Sequence, residues 1–255
     1  MTFPIPGLAS VCILSYERPE FLAQAIEHAR DQAGHPLELI VHEDGSKNPA
    51  VYPLLLDLLN NRRISRLILQ PPGHNQGVGE SIRAAFGVAS GEYLCKVDQD
   101  LTGFQPGWLA KAIAILDAPA VYSPISGTAK VGTVGLFEYQ DRADERFRTI
   151  HQHDGWRQVS DFVGSAFVIK RSVYDEVGPI TTHSDGFGED KTLKDALVAA
   201  GYVLALPNDD LATNVGFGVG EKLSTVNEAF EDDGSVRVAK IHHGPVQYPR
   251  VGGAE

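Results

Sequence analysis

Over the first hundred positions, apolar residues come in short runs that end in polar ones, and between those runs they recur at helical spacing. The run "ASVCILS" (9–15) reads as a buried strand closed by the polar turn "YERP". Pro19 suits a first helical turn, and Phe21, Leu22, Ala25, Ile26 and Ala29 then line one helix face. "LELIVHEDGS" (37–46) is a second strand with Asp44-Gly45-Ser46 as its closing turn. A leucine-rich segment (51–59) predicts a helix in spite of Pro53, and "ISRLILQ" (64–70) a third strand. After the loop "PPGHNQGVG" (71–79), a helix over about 80–89 leads to a fourth strand, Tyr93 to Val97, within "GEYLCKVDQDLTG" (91–103).

Strands alternating with helices predict an α/β fold: a Rossmann-type, mostly parallel sheet flanked by helices. Ligands of such sheets bind at the carboxyl ends of the strands, where the strand order reverses. The polar residues gather at those ends: Ser15-Tyr16-Glu17, Glu43-Asp44, His74-Asn75 and Asp98-Gln99-Asp100. Asp98 and Asp100 stand two apart, so extended backbone points both to one side, a geometry suited to a cation and equally to two solvated charges.

The second half is less regular. A helix over 108–116 and a strand over 120–126 precede a charged stretch, roughly 137–160, without periodicity. "GSAFVIKRSVYDEVG" (164–178) reads as strand, turn and helix, "GEDKTLKDALVAAGY" (188–202) as a helix with acids at its start, and the last forty-odd residues as loops. No repeat or linker divides the 255 residues, which predicts one domain: about 1–105 for one ligand, about 106–255 for the other and for the C-terminal loops.

A formal charge of −11 argues against a non-specific grip on nucleic acid or an anionic membrane. Any polyphosphate must then be held locally, by a metal or by backbone N–H groups. The amino terminus lacks a basic, apolar leader and no apolar run is long enough to span a bilayer, so a cytoplasmic protein is expected. Cys12 and Cys95 lie in strand runs and read as reduced core residues.

Taken together and in order, "SVCILSYERPEFLAQAI", "LIVHEDGS", "HNQGVGESIRAAFGVASGEYLCKVDQD", "GSAFVIKRSVYDEVG" and "GEDKTLKDALVAAGY" resemble the inverting family 2 glycosyltransferases of the GT-A fold. The resemblance implies a nucleotide-diphosphate sugar donor, a UDP- or GDP-sugar, a divalent cation (Mn²⁺ or Mg²⁺), and displacement at the anomeric carbon by an acceptor hydroxyl. It places Ser15, Tyr16 and Glu17 beside the nucleotide and Asp44, with Glu43 next to it, on the base. A carboxylate there accepts a ring N–H of uracil or guanine. Read alone, Asp44-Gly45 is equally a turn.

By the same resemblance Asn75, Gly77 and Gly79 let the chain pass close to the donor, Asp98 and Gln99 meet ribose or sugar, and Asp100 and Asp98 hold the metal. Asp190, with Glu189 second, becomes the general base that deprotonates the acceptor, although acids also suit a first helical turn for its dipole alone. His242, or His243 beside it, is a further metal-ligand candidate. Arg83 reads as a helix-surface charge, Trp108 as core, and Trp156 as a weak sugar-stacking candidate. Glu17 and Glu43 stand where the family more often has Asn and Asp, and the membrane-proximal helices of polymerising members are absent. A sugar-phosphate nucleotidyltransferase and a non-catalytic carbohydrate-binding protein remain alternatives, the first weakened by the absence of a basic, Gly-rich loop after the first strand.

Overall fold

The computed structural model describes residues 4–123, 127–138, 147–180, 189–215, 228–230 and 236–238. Two compact units divide the chain, Met1–Thr213 and Asn214–Glu255. In the second, Glu228–Phe230 pairs antiparallel with Val236–Val238, a hairpin within the tail expected to be loops.

The first unit runs β1 (Ile5–Ser15), α1 (Pro19–Asp31), β2 (Leu37–Glu43), α2 (Val51–Asn60), β3 (Arg66–Leu69), α3 (Val78–Val88), β4 (Gly91–Asp98), β5 (Leu101–Thr102), α4 (Trp108–Leu116), β6 (Val121–Ser123), β7 (Gly127–Ala129), β8 (Val131–Gly135), β9 (Thr149–Gln152), β10 (Trp156–Val159), β11 (Ala166–Lys170), α5 (Arg171–Val177), α6 (Glu189–Ala199) and β12 (Val203–Pro207). Among the described residues, nine strands form one sheet in the order β3-β2-β1-β4-β11-β8-β12-β10-β9. Only β11 and β10 run against the rest, so the sheet is mostly parallel, with helices packed along it.

The predicted first half is all present. Strand β1 is buried from Ala9 onward, and Leu22, Ala25, Ile26 and Ala29 are the buried face of α1. Trp108 opens α4 in the core, and its Nε1 donates to the Ala29 carbonyl at 2.8 Å. Cys12 and Cys95 are free and buried, as composition suggested.

Three expectations change. "ISRLILQ" shortens to four residues, and β11 passes straight into α5 without a turn. The stretch read as irregular holds β9 and β10, an antiparallel pair at the sheet edge. Every residue of β9 is exposed, and a strand solvated on both faces shows no apolar alternation from which to recognise it.

Candidate active site

Strand order reverses between β1 and β4: the chain steps outward from β1 through β2 to β3, then places β4 on the other side of β1. In sheets of this kind ligands bind at the carboxyl ends of the strands beside such a switch point. Residues 15–18 and 98–100 stand at those ends. Gln99 bridges the two segments, accepting the Tyr16 N–H at 3.1 Å and donating to the Tyr16 carbonyl at 2.5 Å.

Beside it, β2 ends in two acids with different partners. Glu43 is wholly buried; its carboxylate accepts the Ser15 hydroxyl at 2.5 Å and the Ser46 N–H at 2.6 Å. Burial pushes the Glu43 carboxyl above the usual range, and the bonds from Ser15 and Ser46 partly oppose that rise. Asp44 accepts the N–H of Gln76 and of Gly77, both at 2.9 Å, and so pins the loop before α3. Asn75 Oδ1 shares the Gly77 N–H at 2.8 Å. Gly45 makes this closure possible: at φ +79°, a Cβ there would lie 2.8 Å from both the His74 nitrogen and the Pro71 carbonyl.

Glu17 sits in the left-handed region, at φ 62°, and its carboxylate accepts the N–H groups of Lys47 at 2.5 Å and Asn48 at 2.9 Å. Glu17 and Glu43, both expected beside the nucleotide, thus give their oxygens to protein groups and brace the loop after β2. Tyr16 keeps a partly exposed ring; burial and then Glu17 raise its phenol's pKa, while a bond to Asn75 opposes the rise.

At the end of β4, Asp98 Oδ1 lies 2.6 Å from Lys96 Nζ, and the Asp98 N–H donates to the Ser165 carbonyl at 2.9 Å. Asp100 is buried; its Oδ2 lies 3.3 Å from Arg18 Nη1, and its Oδ1 has no hydrogen-bond partner among the described residues. Burial, and after it the charge of Asp98, raise the Asp100 carboxyl above the usual carboxylate range, against the pull of Arg18 and Lys96. A buried carboxylate oxygen without a protein donor has the chemistry to accept a bond from a hard cation. Among the described residues no cluster of three or more His, Cys, Asp or Glu side chains is arranged to hold an ion. The pair at β4 fits a cation whose remaining ligands are water and substrate phosphate.

Asp190 lies in the first turn of α6, where its Oδ1 accepts the Lys191 N–H at 2.8 Å. Its side chain packs on the backbone of Gly164, where a Cβ would sit 2.6 Å from that of Asp190. Glu189 begins the same helix. The structure therefore brings Ser15, Tyr16, Gln99, Asp98 and Asp100 to the switch point and ties Asp44, Asn75 and Gly77 into the neighbouring loop. His242 and His243 lie outside the described residues. Gly79 is buried in α3, Arg83 pairs with Glu80 on the surface, and Trp156 is buried under the ring of His153, centroids 3.9 Å apart, so no open ring face is left for a sugar.

The profile of glycosyl transferase family 2 matches residues 10–178, about two thirds of the chain. The chain belongs to that family. Among solved structures, it is similar to the mannosyltransferase PcManGT from Pyrobaculum calidifontis in complex with GDP-Man and Mn²⁺, at 19% identity and TM-score 0.60, over 81% of this chain and 56% of that one. TarS of S. aureus matches at 13% identity and TM-score 0.54 over 80% of this chain and 36% of its own, and TarS 1–349 at 15% and 0.56 over 80% and 59%. The chain thus spans between about a third and three fifths of these proteins, and at such identities the likeness is one of fold, that of GT-A glycosyltransferases. No curated protein sequence matches it. None of the helices in the described residues is long and apolar enough to cross a membrane.

Four residues of this family 2 site escape sequence reading: Arg18, Ser46, Lys96 and Gly164. Lys96 alone left a signal, since it stands two before Asp98 on the same strand and so on the same side. The Arg18–Asp100 contact joins residues 82 positions apart and has no local signature.

Proposed function

We propose that the protein transfers one sugar from a nucleotide-diphosphate donor, a UDP- or GDP-sugar, to a hydroxyl acceptor with inversion at the anomeric carbon and with the help of a divalent cation. The observation that supports this most is Oδ1 of Asp100, buried and without a hydrogen-bond partner among the described residues, two residues past Asp98 at the carboxyl end of β4. When bound, Mn²⁺ or Mg²⁺ supplies Lewis-acid neutralisation of the charge gathering on the departing nucleotide diphosphate. The neighbour from Pyrobaculum calidifontis is described in complex with GDP-Man and Mn²⁺, the same pairing.

In this reading Asp100 holds the cation and Asp98 contacts the ribose or sugar. Tyr16, oriented through its backbone by Gln99, borders the nucleotide together with Asp44, Asn75 and Gly77. Ser15, Glu17 and Glu43 act from behind by fixing the loops. Asp190 deprotonates the acceptor hydroxyl as its oxygen bonds to the anomeric carbon and the bond to the diphosphate breaks. Glu189, first in the same helical turn, is the second choice for base, and His242 stays a candidate further ligand.

The test is release of nucleotide diphosphate from a panel of sugar nucleotides with mixed hydroxyl acceptors and Mn²⁺. Asp190→Asn is expected to keep donor affinity and lose 10²–10⁴-fold in turnover. Release of pyrophosphate from a nucleoside triphosphate and a sugar phosphate, or full turnover by Asp190→Asn, overturns this assignment.

A further inference from the structure

Lys96 is the one buried charged side chain of the β4 end that the catalytic reading leaves without a task. Its side chain is 1% exposed, with Nζ 2.6 Å from Asp98 Oδ1 and 2.7 Å from the Gly164 carbonyl oxygen. Asp98 shares its strand, whereas Gly164 lies 68 residues on, just before β11. Strand β11 runs antiparallel beside β4, with Phe167 opposite Lys96, and the Asp98 N–H reaches the Ser165 carbonyl at 2.9 Å. The ammonium therefore fastens the Asp98 carboxylate to the backbone at the start of β11.

Gly164 is also the surface on which Asp190 rests. A Cβ there would lie 2.6 Å from the Asp190 Cβ and 3.1 Å from its Cγ and Oδ2, so position 164 must lack a side chain for α6 to seat its acid. The positions of Asp98 and Asp190 thus share one anchor. A lysine suits the task because its tetrahedral ammonium serves two acceptors in different directions, and a buried one has no water to replace either.

We propose that Lys96 is a positioning residue that sets the spacing between the donor-side carboxylate Asp98 and the acceptor-side base Asp190, through the carbonyl of Gly164. The proposal rests on the glycosyl-transfer reading for the roles of the two acids, but the mechanical coupling stands apart from it. Loss of Lys96 frees the Gly164 carbonyl and lets the seat of Asp190 drift; it also removes the ion pair of Asp98 and a positive charge near Asp100, while the loop held by Asp44 keeps its own bonds. The expected signature is a fall in kcat that exceeds any rise in donor KM, since geometry between the reacting groups governs rate more than binding.

The test uses Lys96→Met and, should that variant fold poorly, Lys96→Gln, which keeps one donor, together with Gly164→Ala, which leaves Lys96 in place but displaces Asp190. Each is expected to lose at least tenfold in kcat, with a smaller change in donor KM; in Gly164→Ala, which keeps the Lys96–Asp98 pair, donor KM is expected within threefold of the parent. By hydrogen exchange, peptides spanning 160–170 and 189–199 in the Lys96 variants are expected to exchange at least tenfold faster, with 37–43 unchanged. Parental kcat, a loss carried by KM, unchanged exchange, or uniformly faster exchange across the chain each overturns the proposal. If the parent turns over no sugar nucleotide, the glycosyl-transfer reading fails, and the exchange pattern alone decides whether Lys96 couples the two segments.

Discussion

Arg18 Nη1 lies 3.3 Å from Oδ2 of Asp100, a carboxylate whose other oxygen is buried without a hydrogen-bond partner among the described residues. An acid with one weak ion pair and one orphaned oxygen is poorly placed for stability. Burial and Asp98 both disfavour its charge. Asp100→Asn is therefore expected to raise the stability of the ligand-free protein, by about 1 kcal/mol, as replacements at strained functional sites commonly do. The urea midpoint checks it: an upward shift with unchanged slope agrees, and a downward shift shows that the Arg18 pair outweighs the burial penalty.

Glu43 makes the pH dependence predictable. Its folded carboxyl is held above the usual value of 4.5 by burial, so the fold binds its proton more tightly than the unfolded chain does. Its contribution is fully favourable below the unfolded value and is lost as pH rises through the folded one. Glu43→Gln keeps an acceptor for Ser15 or Ser46 and cannot ionise. The variant should lose less stability than the parent as pH rises above 4.5, as measured by thermal melts at a series of pH values.

Asp44 stabilises through the loop it holds. Asp44→Ala strips acceptors from the N–H groups of Gln76 and Gly77, and hydrogen bonds to a charged group contribute about 1.5–3 kcal/mol each. The loop is partly exposed, so water replaces some of that, and a net loss of about 2 kcal/mol by urea unfolding is expected. Protease nicking within 71–77 should rise in parallel. An unchanged midpoint shows that the loop is held by its other contacts.

Trp108 separates core from site. It is fully buried, with its indole N–H on Ala29, so Trp108→Phe should cost about 1–3 kcal/mol through lost contacts and an unpaired carbonyl. Turnover at a temperature where the variant is folded should stay within about twofold, since the change is carried by stability alone. A selective loss of turnover instead places the indole at the acceptor.

Much of the site was legible where local sequence carries it. Strands β1, β2 and β4 each end an apolar run in polar residues, and that pattern alone put Ser15, Asp44 and the Asp98–Asp100 pair on one rim. Lys96 was hidden because Tyr93 to Val97 reads as an apolar run; alternation would have set it beside Asp98 on one face. Glu43 and Glu17 look in the sequence like ligand-binding acids because a carboxylate that takes backbone N–H groups has the same chemistry as one that takes a nucleotide. Only the partners, from Ser15 to Asn48, show that Glu17 and Glu43 brace the loop after β2, as Asp44 holds the loop before α3. The contact of Gly164 with Asp190 depends on how α6 docks, and β9 on an edge pairing, neither of which leaves a local trace.

The role proposed for Asp100, holding a cation against a nucleotide diphosphate, is tested by a thermal-shift panel of nucleoside diphosphates with and without Mn²⁺, on the parent and on Asp100→Asn. At 100 times the dissociation constant, a ligand stabilises the fold by about 2.7 kcal/mol, a shift of several degrees. A shift with UDP or GDP that needs Mn²⁺ and vanishes in Asp100→Asn is expected. No shift with any nucleotide, or one that survives intact in Asp100→Asn, would show that Asp100 does not hold a cation there.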